Sequence, residues 1–332
     1  MWRAIVALML VTGCANLLDL RDVTAPTCSD GQRDGDETDV DCGGSCGVCG
    51  DGRVCTAAAD CASGACTASL CRPAACNDEV QNGDETDVDC GGTACAGCPV
   101  DRVCGSDVDC AGTEVCDAAA CRDAHSCLEI VQRRPGIASG VYHIAPDRTA
   151  AFDAVCDMIT DGGGWALLLK SNGDETLAYA SSLWTSEELL AGDDLTTDLG
   201  NAKYASFVAL PITTLRGELD DFPFTKSFTT ARTAREIFGS NATDYVEYAV
   251  GESHPPKWSA QPNCRRFGIN LDAEVATGAR FGWTANQEPD CLSNDTGIGL
   301  GVNTWGAGYI CGSTECSGDN VNERGTGRLW GR

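Results

Sequence analysis

The sequence predicts an α+β domain at residues 126–332, preceded by two small disulfide-rich repeats. Apart from Trp2, every Phe, Tyr and Trp lies after residue 126, so only this part can build a large apolar core. Short strand patterns and a few helical patterns occur there without the regular strand–helix alternation of α/β folds. Residues 28–125 hold sixteen of the 23 cysteines, which indicates that covalent links replace a core in that part.

The first 27 residues predict export and membrane anchoring. Residues 1–13 begin with one positive charge and continue in an apolar run that is too short to cross a bilayer. The run leads into Val-Thr-Gly-Cys ending at Cys14, which resembles a bacterial lipobox and implies lipidation of the Cys14 thiol. An ordinary signal peptide is the alternative. Residues 14–27 would form a tether, and we expect an exported lipoprotein on the outer membrane or cell surface.

Residues 28–75 and 76–125 are two copies of one module. The string GDETDVDCGG occurs in both, and eight cysteines recur in the same order at offsets of 48 to 50 residues. Each set of eight can pair internally, although the sequence leaves the connectivity open. We expect the two repeats to act mainly as a stapled stalk.

Metal binding is the alternative interpretation of the repeats. Zinc could be held by Cys46-x-x-Cys49 and its counterpart Cys95-x-x-Cys98, but an oxidising compartment and the lack of histidine between Cys28 and Cys121 favour disulfides. The acidic run 34–41 and its second copy are candidate calcium loops because clustered carboxylates are hard ligands. The run does not match the EF-hand pattern, and we expect a solvated acidic turn.

Two kinds of pattern predict the elements of residues 126–332. Ser or Thr precedes helix-forming residues at 185–191 and 230–238, which predicts two helices. Apolar runs between Gly-rich turns predict strands at 140–145, 152–158, 165–170, 245–250 and 327–331.

The opening of this region resembles fibrinogen C-terminal-like domains. Four ordered motifs carry the resemblance: SCLEI at 126–130, GVY at 140–142, VCDM at 155–158 and DGGGW at 161–165. The resemblance implies that a disulfide between Cys127 and Cys156 ties two strands and that Gly162–Gly164 form a sharp turn. It also implies that Trp165 fills the core.

The later part is similar to the intelectin branch of that family, in NQEPDC at 286–291, GIGLG at 297–301 and RLWGR at 328–332. Intelectins are calcium-dependent lectins, so the resemblance implies a calcium ion that coordinates a vicinal diol of a sugar. It places Asn286 and Glu288 at ligand positions, whereas Pro289 replaces the family's histidine. Further oxygen donors for calcium are expected among Asp290, Asp295, Asp319, Asn320 and Glu323.

Aromatic and cysteine residues complete the predicted site. Trp305 and Tyr309 are candidate ligand-binding rings that would stack on a sugar, with core packing as the alternative. Trp165 and Trp330 are assigned to the core. Cys311 and Cys316 are close enough in sequence to pair, which would leave Cys264 with Cys291, and two other pairings are open.

No pattern of residues predicts catalysis. The chain has three histidines and no HExxH, and its one GxSxG string, at 43–47, lies inside a repeat without a flanking strand and helix pattern. The net charge of −26 opposes nucleic-acid binding. We therefore expect a surface-anchored, calcium-dependent carbohydrate-binding module and no enzyme. The alternative is an adhesive or structural lipoprotein whose head binds a protein or matrix partner.

Overall fold

The computed structural model describes residues 28–147, 149–240, 242–248, 261–271, 277–289, 291, 294–303, 305–311 and 322–332. The predicted lipidation site Cys14 lies outside these residues. So do Asp290, Asp319, Asn320 and Cys316 of the predicted calcium and disulfide sites. The chain forms two compact units, one ending at Gly97 and the other running from Cys98 to Arg332. The second predicted repeat is therefore divided between the two units.

Each repeat consists of two halves with four cysteines each. In the first repeat the disulfides interlace within each half, joining first to third and second to fourth cysteine. Strands β1 (Cys66–Thr67) and β2 (Leu70–Cys71) form a small hairpin in the second half. All sixteen cysteines of the two repeats are disulfide-bonded, in agreement with the preference for disulfides over zinc. The first-repeat pairs are Cys28–Cys46, Cys42–Cys49, Cys55–Cys66 and Cys61–Cys71.

The acidic run folds into a turn whose carboxylates bind its own backbone. Asp41 accepts the N–H groups of Asp30 and Gly31 at 2.8 and 2.9 Å, and Glu37 accepts those of Asp34 and Asp41 at 3.2 Å. Gly44 has a φ of +57°, and a Cβ there would lie 2.2 Å from a carbonyl oxygen. The run is thus a structural turn that is held by its own carboxylates and by the close approach that Gly44 permits.

The described residues of the second unit form two large antiparallel sheets, a two-stranded hairpin and three short α-helices. The helices are α1 (Cys127–Arg133), α2 (Ala205–Ala209) and α3 (Ala234–Gly239). The strands are β3 (Val115–Asp117), β4 (Ala120–Arg122), β5 (Gly140–Ile144), β6 (Phe152–Asp157), β7 (Trp165–Ser171), β8 (Ala202–Lys203), β9 (Ile212–Leu219), β10 (Phe222–Arg232), β11 (Asp244–Glu247), β12 (Asn263–Leu271), β13 (Ala279–Asn286), β14 (Thr296–Val302), β15 (Trp305–Cys311), β16 (Glu323–Arg324) and β17 (Gly327–Gly331).

The strands of the second unit are arranged in three sheets. Sheet I has the strand order β10-β9-β17-β7-β6-β5, with β8 beside β7. Sheet II is a meander in the order β11-β12-β13-β14-β15-β16. Strands β3 and β4 form the hairpin.

The main core draws side chains from both sheets and from the helices. Phe224 of β10 contacts Phe281 and Trp283 of β13, with ring centroids 4.7 Å apart in both pairs. Trp184 packs against Phe238 of α3 at 4.9 Å. Such aromatic contacts bury large apolar areas. The predicted concentration of the core after residue 126 is therefore found in the structure.

Residues 126–165, which carry the motifs that resemble fibrinogen C-terminal-like domains, form one packed corner of the second unit. Cys127 and Cys156 are joined, as the resemblance implies, although Cys127 lies in helix α1 and not in the expected strand. Gly164 has a φ of +82°, and a Cβ there would lie 2.7 Å from the Cα of Leu128. Glycine thus permits both the turn and the close approach of α1. Trp165, which follows, is 1% exposed.

Sequence patterns identified strands better than helices. The predicted strands at 140–145, 152–158, 165–170 and 327–331 occur, and the described part of 245–250 overlaps β11. The helix at 185–191 is wrong, because only a 3₁₀ turn at Ser182–Trp184 precedes irregular chain. The helix at 230–238 begins only at Ala234, since residues up to Arg232 pair with β9. Strand pairing therefore overrides local propensity, and the unit is mostly β-sheet with few helices.

Residues 98–125 are built into the second unit through helix α1. The Arg134 guanidinium at the end of α1 donates to the carbonyl oxygens of Asp107 and Glu114 at 2.7 Å and also to that of Gly112. Arg122 forms a two-point contact with Glu129 at 2.8 and 3.1 Å. Val115 is fully buried and belongs to the main core. This half-repeat is thus anchored by specific contacts and not by chain connectivity alone.

Candidate ligand-binding site

The strand register of sheet II collects polar residues at one end of the sheet. Asn263 of β12 pairs with Asn286 of β13, and the neighbouring Ala285 pairs with Thr296 of β14. Thr296 in turn pairs with Cys311 at the end of β15. Four strands therefore end together, and their terminal side chains form what we call the amide end. Its members are Gln261, Asn263, Asn286, Asn294, Asp295 and Thr296.

The amide end is buried although it is polar. Asn286 is fully buried, Gln261 and Thr296 are each 3% exposed, and Asn294 is 5% exposed. The Thr296 hydroxyl donates to Oε1 of Gln261 at 2.8 Å, and the amide of Gln261 donates to Asp295 at 3.4 Å. Burying such groups is unfavourable unless they are hydrogen-bonded. The cluster therefore forms a network that fixes its side chains in place.

Asn294 departs from this pattern. Neither Oδ1 nor Nδ2 of its buried side chain has a hydrogen-bond partner among the described residues. An unsatisfied buried amide costs about 1–3 kcal/mol, so its presence calls for an explanation such as a bound group. The backbone of Asn294 is fixed independently, because its carbonyl accepts the Thr277 hydroxyl. Its side chain thus holds one donor and one acceptor that no described residue satisfies.

A disulfide holds the segment that follows β13. Cys264 is bonded to Cys291, the pairing left after the expected Cys311–Cys316 bond. Cys264 adopts a left-handed φ of +53°, a conformation that costs free energy for a residue other than glycine. Asn263 also donates to the Gln287 carbonyl at 2.5 Å. These two contacts therefore fix the positions of Gln287 and Cys291 relative to β12. The side chain of Cys311 and all of Cys316 lie outside the described residues.

The described residues meet only part of the requirement for calcium. Calcium takes six to eight oxygen ligands, commonly several carboxylates among them. At the amide end the described chain supplies one carboxylate, Asp295, together with amide oxygens that include the unpartnered Oδ1 of Asn294. Glu288 is exposed. Glu323 lies in β16, opposite Tyr309. Asp290, Asp319 and Asn320 lie outside the described residues, so the described donors at the amide end are of the right type but too few.

The two predicted aromatic residues do not join the amide end. Trp305 pairs with Val302, at the opposite end of β14 from Thr296, which places it about 20 Å away at the rise of a β-strand. It is half-buried, and the Arg324 guanidinium lies 5.9 Å from its ring. Tyr309 is 5% exposed and belongs to the main core. Burial, with Asp220 beside the hydroxyl, raises the pKa of Tyr309 to about 12. The expected stacking of Tyr309 on a sugar is therefore corrected to core packing.

Gln261, Asn294 and Thr296 were not predicted as site residues from the sequence. None of them lies in a recognisable motif, and only the antiparallel register of β13 and β14 brings them beside Asn286. A run of polar residues at 293–296 after a cysteine was the only available signal. Without the pairing of the strands, that signal could not be distinguished from an ordinary surface loop.

Other clusters in the described chain carry no metal chemistry. The sulfur atoms of Cys55, Cys61 and Cys66 lie close together, as do those of Cys104, Cys110 and Cys121. All six are disulfide-bonded, and a metal would require thiolates. No helix among the described residues is long and apolar enough to span a membrane. The disulfide content is that of a protein that folds in an oxidising, extracellular-type compartment.

Comparison with known proteins supports the resemblance for the first half of the second unit. Residues 124–232 match the family model of the C-terminal globular domain of fibrinogen beta and gamma chains. Veficolin-1 of Varanus komodoensis is 31% identical over 120 residues, which cover 35% of this chain and 53% of veficolin-1. The chain thus spans about half the length of that relative. The family match ends before β11, so the amide end and the intelectin-like motifs lie outside it.

Proposed function

We propose that the second unit is a carbohydrate-binding, lectin-like recognition module whose ligand contacts the amide end. The buried and unpartnered Asn294 is the observation that carries this proposal. Side-chain amides both donate and accept hydrogen bonds, as sugar hydroxyls do, so the two groups are complementary. A site whose buried groups are fixed before binding loses little conformational freedom when the ligand arrives. The fibrinogen-type match over 124–232 supports a binding role.

Calcium dependence is part of the proposal. The ion would be held by Asp295, by amide oxygens of Asn286 and Asn294, and by donors among Glu288, Asp290, Asp319 and Asn320. When bound, the calcium ion would be coordinated by the two oxygens of a vicinal diol. The residues of the chain would orient the ring through hydrogen bonds. Lipid anchoring at Cys14 and the repeats as a spacer complete the proposed surface display.

A glycan array probed with the purified chain tests the proposal. We expect binding in calcium chloride that disappears in EGTA. Asp295→Asn keeps the shape of the side chain and removes its charge, so it should abolish the calcium response. Asp221→Asn is the matched control, because the side chain of Asp221 is 95% exposed in the β9–β10 turn. Absence of binding under both conditions would overturn the sugar assignment, whereas binding that EGTA leaves unchanged would overturn only the role of calcium.

Anchoring is tested separately in the producing cells. Cys14→Ser should release the chain from the membrane fraction into the soluble fraction and abolish incorporation of a labelled fatty acid. Cys14→Ser chain that still sediments with membranes would contradict the lipid anchor. The sugar-binding proposal does not depend on this result.

One observation favours a protein partner as the alternative ligand. Strand β11 forms an edge of sheet II, and all four of its residues are exposed, with Val246 at 54%. Exposed edges can pair with a strand of another protein. Glu247→Pro, at an exposed residue whose N–H points away from β12, would block such pairing and leave the amide end untouched. Loss of adhesion to cells or matrix in this variant, with no glycan binding by the original chain, would favour the adhesive function.

A further inference from the structure

A second cavity lies on the face of sheet I that points away from the main core. Along β9, Leu215 and Leu219 point into the main core, which places Arg216 on the opposite face. Along β17, Leu329 and Trp330 alternate in the same way. A cavity of about 650 Å³ opens on this opposite face, large enough for a monosaccharide. Residues that line it include Val141, Val155, Thr196, Thr197, Arg216 and Trp330.

Arg216 is the unusual group in this cavity. Its side chain is 1% exposed and lies between two rings, 4.9 Å from Trp165 and 5.0 Å from Trp330. Its Nη2 contacts Asp157 at 2.9 Å and Glu218 at 3.1 Å. Within the part of the chain that the structure describes, its Nε and Nη1 have no hydrogen-bond partner, and neither has Nε1 of Trp330. Three buried N–H-bearing groups on cavity-lining residues are therefore without acceptors.

The acceptors of the cavity are already in use. Oδ1 of Asp157 accepts the N–H groups of Ile159 and Thr160 at 3.0 Å, and its Oδ2 binds Arg216. Glu218 binds Arg216 through one oxygen and Arg328 through the other, at 3.4 Å. The two carboxylates balance the two guanidinium groups in charge. Each of the four carboxylate oxygens thus already has a partner, whereas three donors have none among the described residues, which is the reverse of a cation site.

We propose that this cavity binds the carboxylate group of a small ligand, with the group directed at Arg216 and Trp330. A carboxylate supplies acceptors in the planar arrangement that a guanidinium matches. The apolar walls at Val141 and Val155 suit a compact carbon skeleton. The identification of that skeleton as a uronic acid rests on the proposed sugar-binding function. The carboxylate assignment itself rests only on the unpartnered donors.

The cover of the cavity is fixed in place. Buried Lys170 of β7 binds Asp194 at 2.8 Å and Asp198 at 2.5 Å, and also donates to the carbonyl of Thr196 at 3.2 Å. Arg328 donates to the Thr197 carbonyl at 2.9 Å. These contacts hold residues 194–198 over sheet I. The cavity is therefore pre-formed, so binding does not need to order a loop.

Titration of the full chain with D-galacturonate, followed by saturation-transfer NMR and calorimetry, tests the proposal. D-galactose and the methyl ester of galacturonate are the matched probes without charge. We expect galacturonate to bind at least about tenfold more tightly than either, because only the acid supplies a charged acceptor to the guanidinium. Equal binding of acid and ester, or no binding of the acid, would overturn the proposal.

Variants then locate the binding. Val141 is 46% exposed at the cavity, so Val141→Trp should fill the space and abolish galacturonate binding without changing the buried stack. Leu189→Trp, at a residue that is also 46% exposed but does not line the cavity, is the control and should bind as before. Unchanged binding by Val141→Trp would place the ligand elsewhere and contradict the proposal. Thermal unfolding of both variants shows that each is folded.

The outcome is separable from that of the proposed function. Neither EGTA nor Asp295→Asn should alter galacturonate binding, since the cavity uses neither calcium nor the amide end. Galacturonate binding without array binding would support the cavity and reject the amide end as a sugar site. Calcium-dependent array binding without galacturonate binding would support the amide end and reject the cavity.

Discussion

Glu37 and Glu85 stand at equivalent positions of the two repeats and make equivalent contacts. Each binds two backbone N–H groups of its own turn, and each has a second carboxylate oxygen close to a disulfide sulfur, at 3.2 Å from Cys46 and 3.3 Å from Cys95. The repetition of both contacts indicates that they belong to the design of the module. A negative charge beside a disulfide sulfur repels an attacking thiolate. It also disfavours the thiolate that this sulfur would become when the bond is reduced.

Glu37→Gln should therefore speed the reduction of the Cys28–Cys46 disulfide by a small thiol several-fold. The amide keeps an acceptor for the backbone and removes the charge. Alkylation of the released thiols, followed by mass spectrometry over time, measures the rate. Asp51→Asn, an exposed position in the same repeat, should leave the rate unchanged. An equal rate in Glu37→Gln and the original chain would show that the carboxylate does not protect the bond.

Asp157 makes the stability of the second unit sensitive to acid. Burial by itself would raise the pKa of Asp157, but hydrogen bonds from Thr160, Ile159 and Arg216 outweigh it and lower the pKa from 3.8 to about 2. A lowered pKa in the folded state adds stability above pH 4, which is lost as the pH falls towards 2. The melting temperature should drop over that interval, and less steeply in Asp157→Asn than in the exposed control Asp161→Asn. Parallel curves for the two variants would contradict this role.

Strand β17 shows how the elements of the second unit depend on one another. It is the last strand of the chain and yet lies in the middle of sheet I, paired with β9 on one side and β7 on the other. Its contacts join residues more than a hundred positions apart. Such a strand forms only when both neighbours are in place, so sheet I is expected to fold cooperatively.

Leu329→Ala should destabilise the second unit by about 2–5 kcal/mol, the usual cost of removing a buried leucine side chain. Leu329 is fully buried in the main core. Arg328→Ala, at the neighbouring position, should cost no more than about 1 kcal/mol, because its ion pair with Glu218 is partly exposed. Urea unfolding followed by tryptophan fluorescence measures both values. A similar loss in the two variants would contradict the assigned positions of these side chains.

The contacts of Arg134 predict which part of the second repeat is rigid. Arg134→Ala removes a guanidinium that binds several carbonyl oxygens of residues 107–114. Amide hydrogen exchange in 107–122 should become faster, while exchange in β12–β15 should not change. Arg72→Ala, an exposed arginine of the first repeat, is the control. Unaltered exchange in 107–122 would show that the disulfides alone hold this segment.

Elements were predictable from sequence where local patterns are strong. The strands at 140–144 and 165–171 follow apolar runs, and the DGGGW motif gave the turn before Trp165. The helix expected at 185–191 fails because capping residues are common in turns as well as helices. Strands β9, β10 and β12–β15 were not identified, since their Gly, Arg and Thr residues become strand-like only beside their partners.

The whole molecule was partly predictable because its two parts differ in composition. The distribution of cysteines and aromatic residues separates a disulfide-held part from one with an apolar core. The candidate site was less predictable, since Asn286 and Trp305 are 19 positions apart in sequence but at opposite ends of sheet II. Only the register of the meander shows that the amide end, and not the aromatic pair, is the polar centre. Motifs predicted the kind of domain, whereas strand pairing determined the site.

Hydrogen exchange of the complete chain, measured with calcium and the glycan that binds best on the array, shows whether carbohydrate contacts the amide end. We expect slower exchange at residues 261–264, 285–289 and 294–296, because ligand contacts at the amide end should stabilise the backbone there. Exchange in the disulfide-bonded repeats should not change. Protection confined to residues 28–125, or no glycan-dependent protection anywhere, would contradict the claim that the amide end binds carbohydrate.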